Sequence, residues 1–121
     1  MPVVTVYGVP RGVTCLEVDY VFRLQLKKAV AGIVELDILP EHVSVFFCKE
    51  DSNYATLQKD VVVFVDLFEK PQRTDEVLNR LCRVVVNTIK SFWFAEGEYV
   101  IVECFVRLLN PQKGFWSSKN E

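Results

Sequence analysis

The chain opens "MPVVTVYGVPRG". If Met1 is removed, Pro2 carries a free secondary amine at the head of an apolar run. A terminal amine of this kind has an ordinary pKa of about 8, and an apolar setting disfavours its charged form. It then falls toward neutrality, where a general base is most useful. The same residue also reads as a plain strand-opening proline, since the first position of a strand needs no N–H. Arg11, in the turn "GVPRG", is a candidate for holding a carboxylate, or a solvated loop arginine. Lys49 and Lys70 are further sources of positive charge, although surface placement is the ordinary use of lysine. Glu103 is the opposite case: a carboxylate beside the amine would raise its pKa. Phe115 and Trp116 lie in the last dozen residues and either roof a pocket or anchor the tail on a neighbouring subunit. His42, the only histidine, reads as the start of a strand.

These residues need elements to position them. The segments "VVTVYGVPRG" from Val3 and "VVVFVDLFEK" from Val61 lie 58 residues apart, and "EHVSVFFCKE" from Glu41 and "EYVIVECFVR" from Glu98 lie 57 apart. The chain therefore reads as two similar halves, about 2–50 and 60–108, followed by a tail, 109–121. Strands are predicted over 2–8, 42–49, 61–67 and 99–107, where Val, Ile, Phe and Tyr dominate. Helical spacing links Val18, Phe22, Leu26, Ala29 and Val30, with Thr14 and Glu17 placed for a capping box and Gly32 near the end. It also links Val77, Leu78, Leu81, Val84, Val85, Thr88 and Ile89, with Asp75 and Glu76 in the first turn. The result is one α+β domain over residues 1–121, β-α-β-β-α-β, with a four-stranded mixed sheet and two helices on one face. "VVVFV" and "VIVECFV" are apolar at nearly every position, so both sheet faces should be covered, and the tail is too short to cover the second. Another subunit is the expected cover.

Composition narrows the function classes. Half of the 121 residues are hydrophobic, more than a small monomer usually needs. A formal charge of −2 without a basic run argues against nucleic-acid binding. No apolar stretch approaches the roughly 20 residues of a membrane span, and no signal peptide is read at the N-terminus. Cys15, Cys48, Cys82 and Cys104 lack zinc-site spacing and read as reduced, mostly buried thiols of a cytoplasmic protein. Neither a metal nor a cofactor is expected.

The "MP" start with its "GVPRG" turn, the stretch "LPEHVSVFFCKED" and the tail "NPQKGFWSSKNE" together resemble the tautomerase superfamily. That group includes 4-oxalocrotonate tautomerase and macrophage migration inhibitory factor, and the duplicated layout covers about nine tenths of the chain. The resemblance implies a homotrimer whose three sheets face a central axis. It implies Pro2 as the general base of a keto–enol isomerisation, or of a related lyase, hydratase or dehalogenase step, on a small carbonyl acid. It gives Arg11 a carboxylate-binding role. The chain departs from the pattern at Ser44, where short members carry an arginine. It departs again around Ile33 and Ile38, where the cytokine branch carries a pocket lysine, and at Ile101 and Glu103, where that branch has tyrosine and asparagine. Two other readings stand beside the enzyme: a non-catalytic trimeric interaction protein of the same fold, and a ferredoxin-like small-molecule binding module.

Overall fold

A computed structural model describes residues 2–9, 16–49, 61–93 and 101–120. Strand β1 (Val3–Val9) leads to helix α1 (Leu16–Ala31) and then to strand β2 (Ser44–Lys49). Strand β3 (Val61–Phe68), helix α2 (Asp75–Trp93) and strand β4 (Val102–Leu109) repeat the unit. The sheet order is β2-β1-β3-β4, parallel within each half and antiparallel where β1 meets β3. Each helix thus joins adjacent strands. This is not the split βαβ arrangement of ferredoxin-like sheets, so that reading falls away.

The helical stripes pack as their spacing predicts. Phe22, Leu26 and Val30 of α1 and Leu81, Val85 and Ile89 of α2 are fully buried. They meet Val4, Val6, Val45, Val61, Val63, Val65 and Leu67 on one face of the sheet. Phe22 joins the layers through ring contacts with Phe47 at 5.4 Å and Phe92 at 5.0 Å. The predicted cap at Thr14 lies outside the described residues, whereas Gly32 does follow α1 and its N–H bonds the Lys28 carbonyl at 2.9 Å.

One strand start differs from expectation. Residues 40–42 form a 3-10 turn, closed by His42, whose Nδ1 accepts from the Leu39 N–H at 3.1 Å; β2 begins only at Ser44. Ile101 precedes strand β4, which begins at Val102, and the expected start at residue 99 lies outside the described residues. The internal repeat also resolves to one offset. Val4 pairs with Val45, Val61 pairs with Val102, and all four face the helices. Matching these pairs gives 57 residues throughout. The offset of 58 at the first strand slips by one residue and turns the side chains to the opposite face.

Among the described residues, nothing covers the second face of the sheet. Phe46, Tyr7, Phe64 and Phe105 form an aromatic band across it, with Tyr7–Phe64 at 5.9 Å edge-on and Phe64–Phe105 stacked at 5.6 Å. Beside the band, Arg107 bonds Asp66 with two atoms, at 2.6 and 2.9 Å, and lies 4.4 Å over the Phe64 ring. At the β2 edge, Arg23 of α1 donates to the Val45 carbonyl at 2.9 Å and lies 4.6 Å over Phe47. In β1, Gly8 takes φ +86° where the register to β2 shifts, a bulge that suits glycine.

Cys48, Cys82 and Cys104 are free and half-buried, and Cys15 lies outside the described residues. Burial first, then the charge and hydrogen bond of the adjacent Cys82 thiol, push the Cys104 thiol far above its ordinary value. Below that ordinary value both folded and unfolded chains keep the proton. Above it the unfolded chain releases a proton that the folded chain retains, so unfolding gains as pH rises. Stability should therefore decline above about pH 8.5. Cys104→Val should remove part of that slope, as read from urea melts at about pH 8 and about pH 10.

Candidate functional site

Pro2 is buried at the head of β1. Its carbonyl accepts from the Ser44 N–H at 3.0 Å, which fixes it beside the start of β2. Because β1 and β3 are antiparallel and Val3 pairs with Asp66, the end of β3 lies beside Pro2. Three connections therefore meet at this end of the sheet. They are the α1–β2 link, the β3–α2 link and the tail after β4.

The β3–α2 link is built by local rules. Lys70–Arg73 is a turn with Pro71 in its second position, closed by the Arg73 N–H on the Lys70 carbonyl at 2.9 Å. Thr74 caps α2 through its hydroxyl, which accepts from the Val77 N–H at 3.4 Å. Arg73, in the charge-rich stretch "EKPQRTDE", is only 6% exposed. Its guanidinium donates to the Phe68 carbonyl at 2.6 Å and to the Leu36 carbonyl at 3.2 Å, and Nε has no partner among the described residues. Burial pushes the Arg73 pKa down. No pattern in the sequence marks this residue, because its partners are backbone carbonyls, one five and one 37 residues away.

The tail returns to the same end. Asn110 takes the Gln112 N–H on its side chain at 2.9 Å and the Lys113 N–H on its carbonyl at 3.1 Å. Gly114 adopts φ +73°, a conformation that favours glycine. Phe115 then meets Phe68 edge-on at 4.9 Å.

Of the residues singled out in the sequence, Pro2, Lys70 and Trp116 belong to segments that gather at this end. Lys70 is exposed, and Trp116 is 71% exposed within one chain. Ser44 also lies here, opposite Val3. Lys49 pairs with Val9, and Glu103 shares its row with Val62 and Tyr7, so both lie toward the far end of the same sheet. Arg11 lies outside the described residues. Ile33 is buried in the core and Ile38 packs against it, so neither position offers a charge. A cleft of about 300 Å³ between Tyr20, Arg23, Lys27 and Glu41 has no described candidate in its lining. Among the described residues, no three histidine, cysteine or carboxylate side chains are grouped to hold a metal ion, and no helix is long and apolar enough to cross a membrane.

No protein-family model matches the chain, and no curated protein matches it in sequence. Solved structures match over nearly its whole length. A wild-type fused 4-OT that forms a symmetric trimer aligns over 96% of this chain and 92% of its own, with TM-score 0.72 and 14% identity. A member of the cis-3-chloroacrylic acid dehalogenase family aligns over 94% and 79%, with TM-score 0.70 and 16% identity. A malonate semialdehyde decarboxylase aligns over 98% and 88%, with TM-score 0.63 and 12% identity. At such identities the likeness is one of fold, and the chain has the fold of the tautomerase superfamily.

The contact of Phe68 with Phe115 ties the tail to the Pro2 end. An edge-on aromatic pair contributes about 0.5–1.5 kcal/mol beyond the area it buries. A double-mutant cycle of Phe68→Leu and Phe115→Leu should return a coupling energy in that range. A coupling of zero would mean that the tail does not rest there in solution.

Proposed function

We propose that the chain is a proline-assisted isomerase that moves a proton between the keto and enol forms of a small carbonyl acid, working as a homotrimer. The observation that carries this reading is the buried Pro2 at the head of β1, in a fold shared with 4-OT and its relatives. With Met1 removed, the Pro2 nitrogen takes a proton from the carbon next to the substrate carbonyl. The carbonyl oxygen gains the electron pair as an enolate, and the proton returns to that oxygen. Lys70 pairs with the substrate carboxylate, and Arg11 does the same from the β1–α1 turn. Trp116 walls the site. Lys49 and Glu103 lie far along the sheet and join the site only when contributed by a neighbouring copy.

The uncovered aromatic face supports the trimer. Phe46, Phe105 and Tyr7 stay about half exposed within one chain, which a stable monomer would leave as an adhesive patch. Light scattering at micromolar concentration should give three times the 14.0 kDa chain mass. A stable monomer would overturn the assembly.

The competing reading is a non-catalytic trimer kept for protein interaction, favoured by the apolar Ile33 and Ile38. Kinetics separate the two. The natural N-terminus should lack Met1 by mass, and the protein should then ketonise a phenylpyruvate-type enol acid. Pro2→Ala should keep the fold and lower the rate by about 10²-fold or more. Survival of the rate with an unchanged pH profile would assign the chemistry elsewhere. No turnover by the processed wild type would favour the interaction protein.

A further inference from the structure

Two cysteines meet where α2 packs on β4. In β4, Val102, Cys104 and Val106 alternate onto the helix face of the sheet and pack against the core. Helix α2 lies over this strand. Cys82 follows the buried Leu81 and stands one turn from Leu78 and Val85, on the side of α2 that meets the sheet. The two thiols are hydrogen-bonded to each other. Both are free and half-buried, so neither is sealed from water. The third described thiol is out of reach. Cys48 lies on β2, three strands away from β4, roughly 14 Å in the hydrogen-bonding direction, and shares the aromatic face with Phe46. Among the described residues no further histidine, cysteine or carboxylate joins the pair, which leaves it short of a four-ligand zinc site. Two sulfurs in contact are instead the starting geometry for thiol–disulfide exchange.

We propose that Cys82 and Cys104 form a modification site, a dithiol that a small disulfide of the glutathione type converts into a reversible cross-link between α2 and β4. The inference goes beyond the isomerase reading and needs neither Pro2 nor turnover. The pair lies on the helix side of the sheet, opposite the aromatic face assigned to the assembly. Burial and the neighbouring sulfur keep the proton on Cys104. Cys82 therefore attacks first, as the thiolate, on one sulfur of the small disulfide, whose S–S bond breaks to release one thiolate. The Cys104 sulfur, already in contact, then attacks the Cys82 sulfur and expels the second thiolate. The two protons of the protein thiols end on the two released thiols. The protein pair is oxidised by two electrons, and the small disulfide is reduced to two thiols. The protein sulfurs need only close from a hydrogen bond to a covalent bond of about 2.05 Å. The cross-link pins β4, which pairs only with β3 among the described residues, to the helix above it. It stabilises the fold by restricting the unfolded chain.

The test exposes the reduced wild-type chain to an excess of oxidised glutathione under native conditions, followed by digestion without reductant and mass spectrometry. Peptides joined through Cys82 and Cys104 are expected as the main product, and dithiothreitol should separate them. In Cys104→Ser, glutathione should remain attached to Cys82, whereas Cys48→Ser should leave the cross-link intact. The urea midpoint of the oxidised wild type should exceed that of the reduced protein. Should a variant not fold, the wild-type product decides. Thiols that stay free, or that carry glutathione without joining, would overturn the proposal, as would pairing of either one with Cys15 or Cys48. Glutathione absent from Cys82 in a folded Cys104→Ser would overturn the order of attack. An unchanged or lower urea midpoint in the cross-linked protein would overturn the clamp.

Discussion

Both helices of this domain lie on one face of a four-stranded sheet, and that one-sidedness governs the rest. The βαβ connections within each half place α1 and α2 together, so Val4, Val45, Val61 and Val63 are sealed by Phe22, Leu26, Leu81 and Val85. The opposite rows are no less hydrophobic in Phe46, Phe64 and Phe105, yet the described residues supply no third layer for them. A tail of about a dozen residues reaches only Phe68, at the margin. The hydrophobic surface of the described residues is thus in excess of what they bury among themselves.

The same topology sets what gathers at each end of the sheet. Parallel pairing inside each half brings the start of β1 beside the start of β2. Antiparallel pairing between halves brings it beside the end of β3. The head of β1 is therefore ringed by loops, which is where an open pocket and a chain terminus can coexist. Arg73 is the reason those loops are not free to splay. Its two hydrogen bonds close carbonyls that would otherwise face the interior without a donor.

How far the sequence could be read depended on the range of the interaction. Periodicity is local, so the stripes through Phe22, Leu26 and Val30 and through Leu81, Val85 and Ile89 were legible. The duplicated layout was legible too, but with an ambiguity of one residue at β1, since "VVTV" matches "VVVF" equally well in two registers that differ in face. The start of β2 was the weak point. Pro40 and His42 close a turn through the imidazole, which a run of β-forming residues conceals. For the candidate site, the placement of Pro2 at the head of β1 and of Lys70 in the loop after β3 was legible because strand and turn patterns are local. The separation of Glu103 and Lys49 from Pro2 could not, because it follows from strand direction and pairing register. Arg73 was hidden for the related reason that carbonyl partners leave no residue-type signature.

The β2 strand forms one edge of the sheet among the described residues, and a side left unpaired there is a template on which an extended chain could add. The Ser44 N–H points inward to Pro2, so the peptide groups of Val45 point outward. One of those outward carbonyls is already taken by Arg23, whose guanidinium rests on Phe47 and leaves a cation on the rim. A strand approaching there meets a filled acceptor and a positive charge in place of a continuous row of hydrogen-bonding groups. The edge is thereby guarded against open-ended polymerisation into fibres, a hazard that a chain this rich in valine and phenylalanine would otherwise carry.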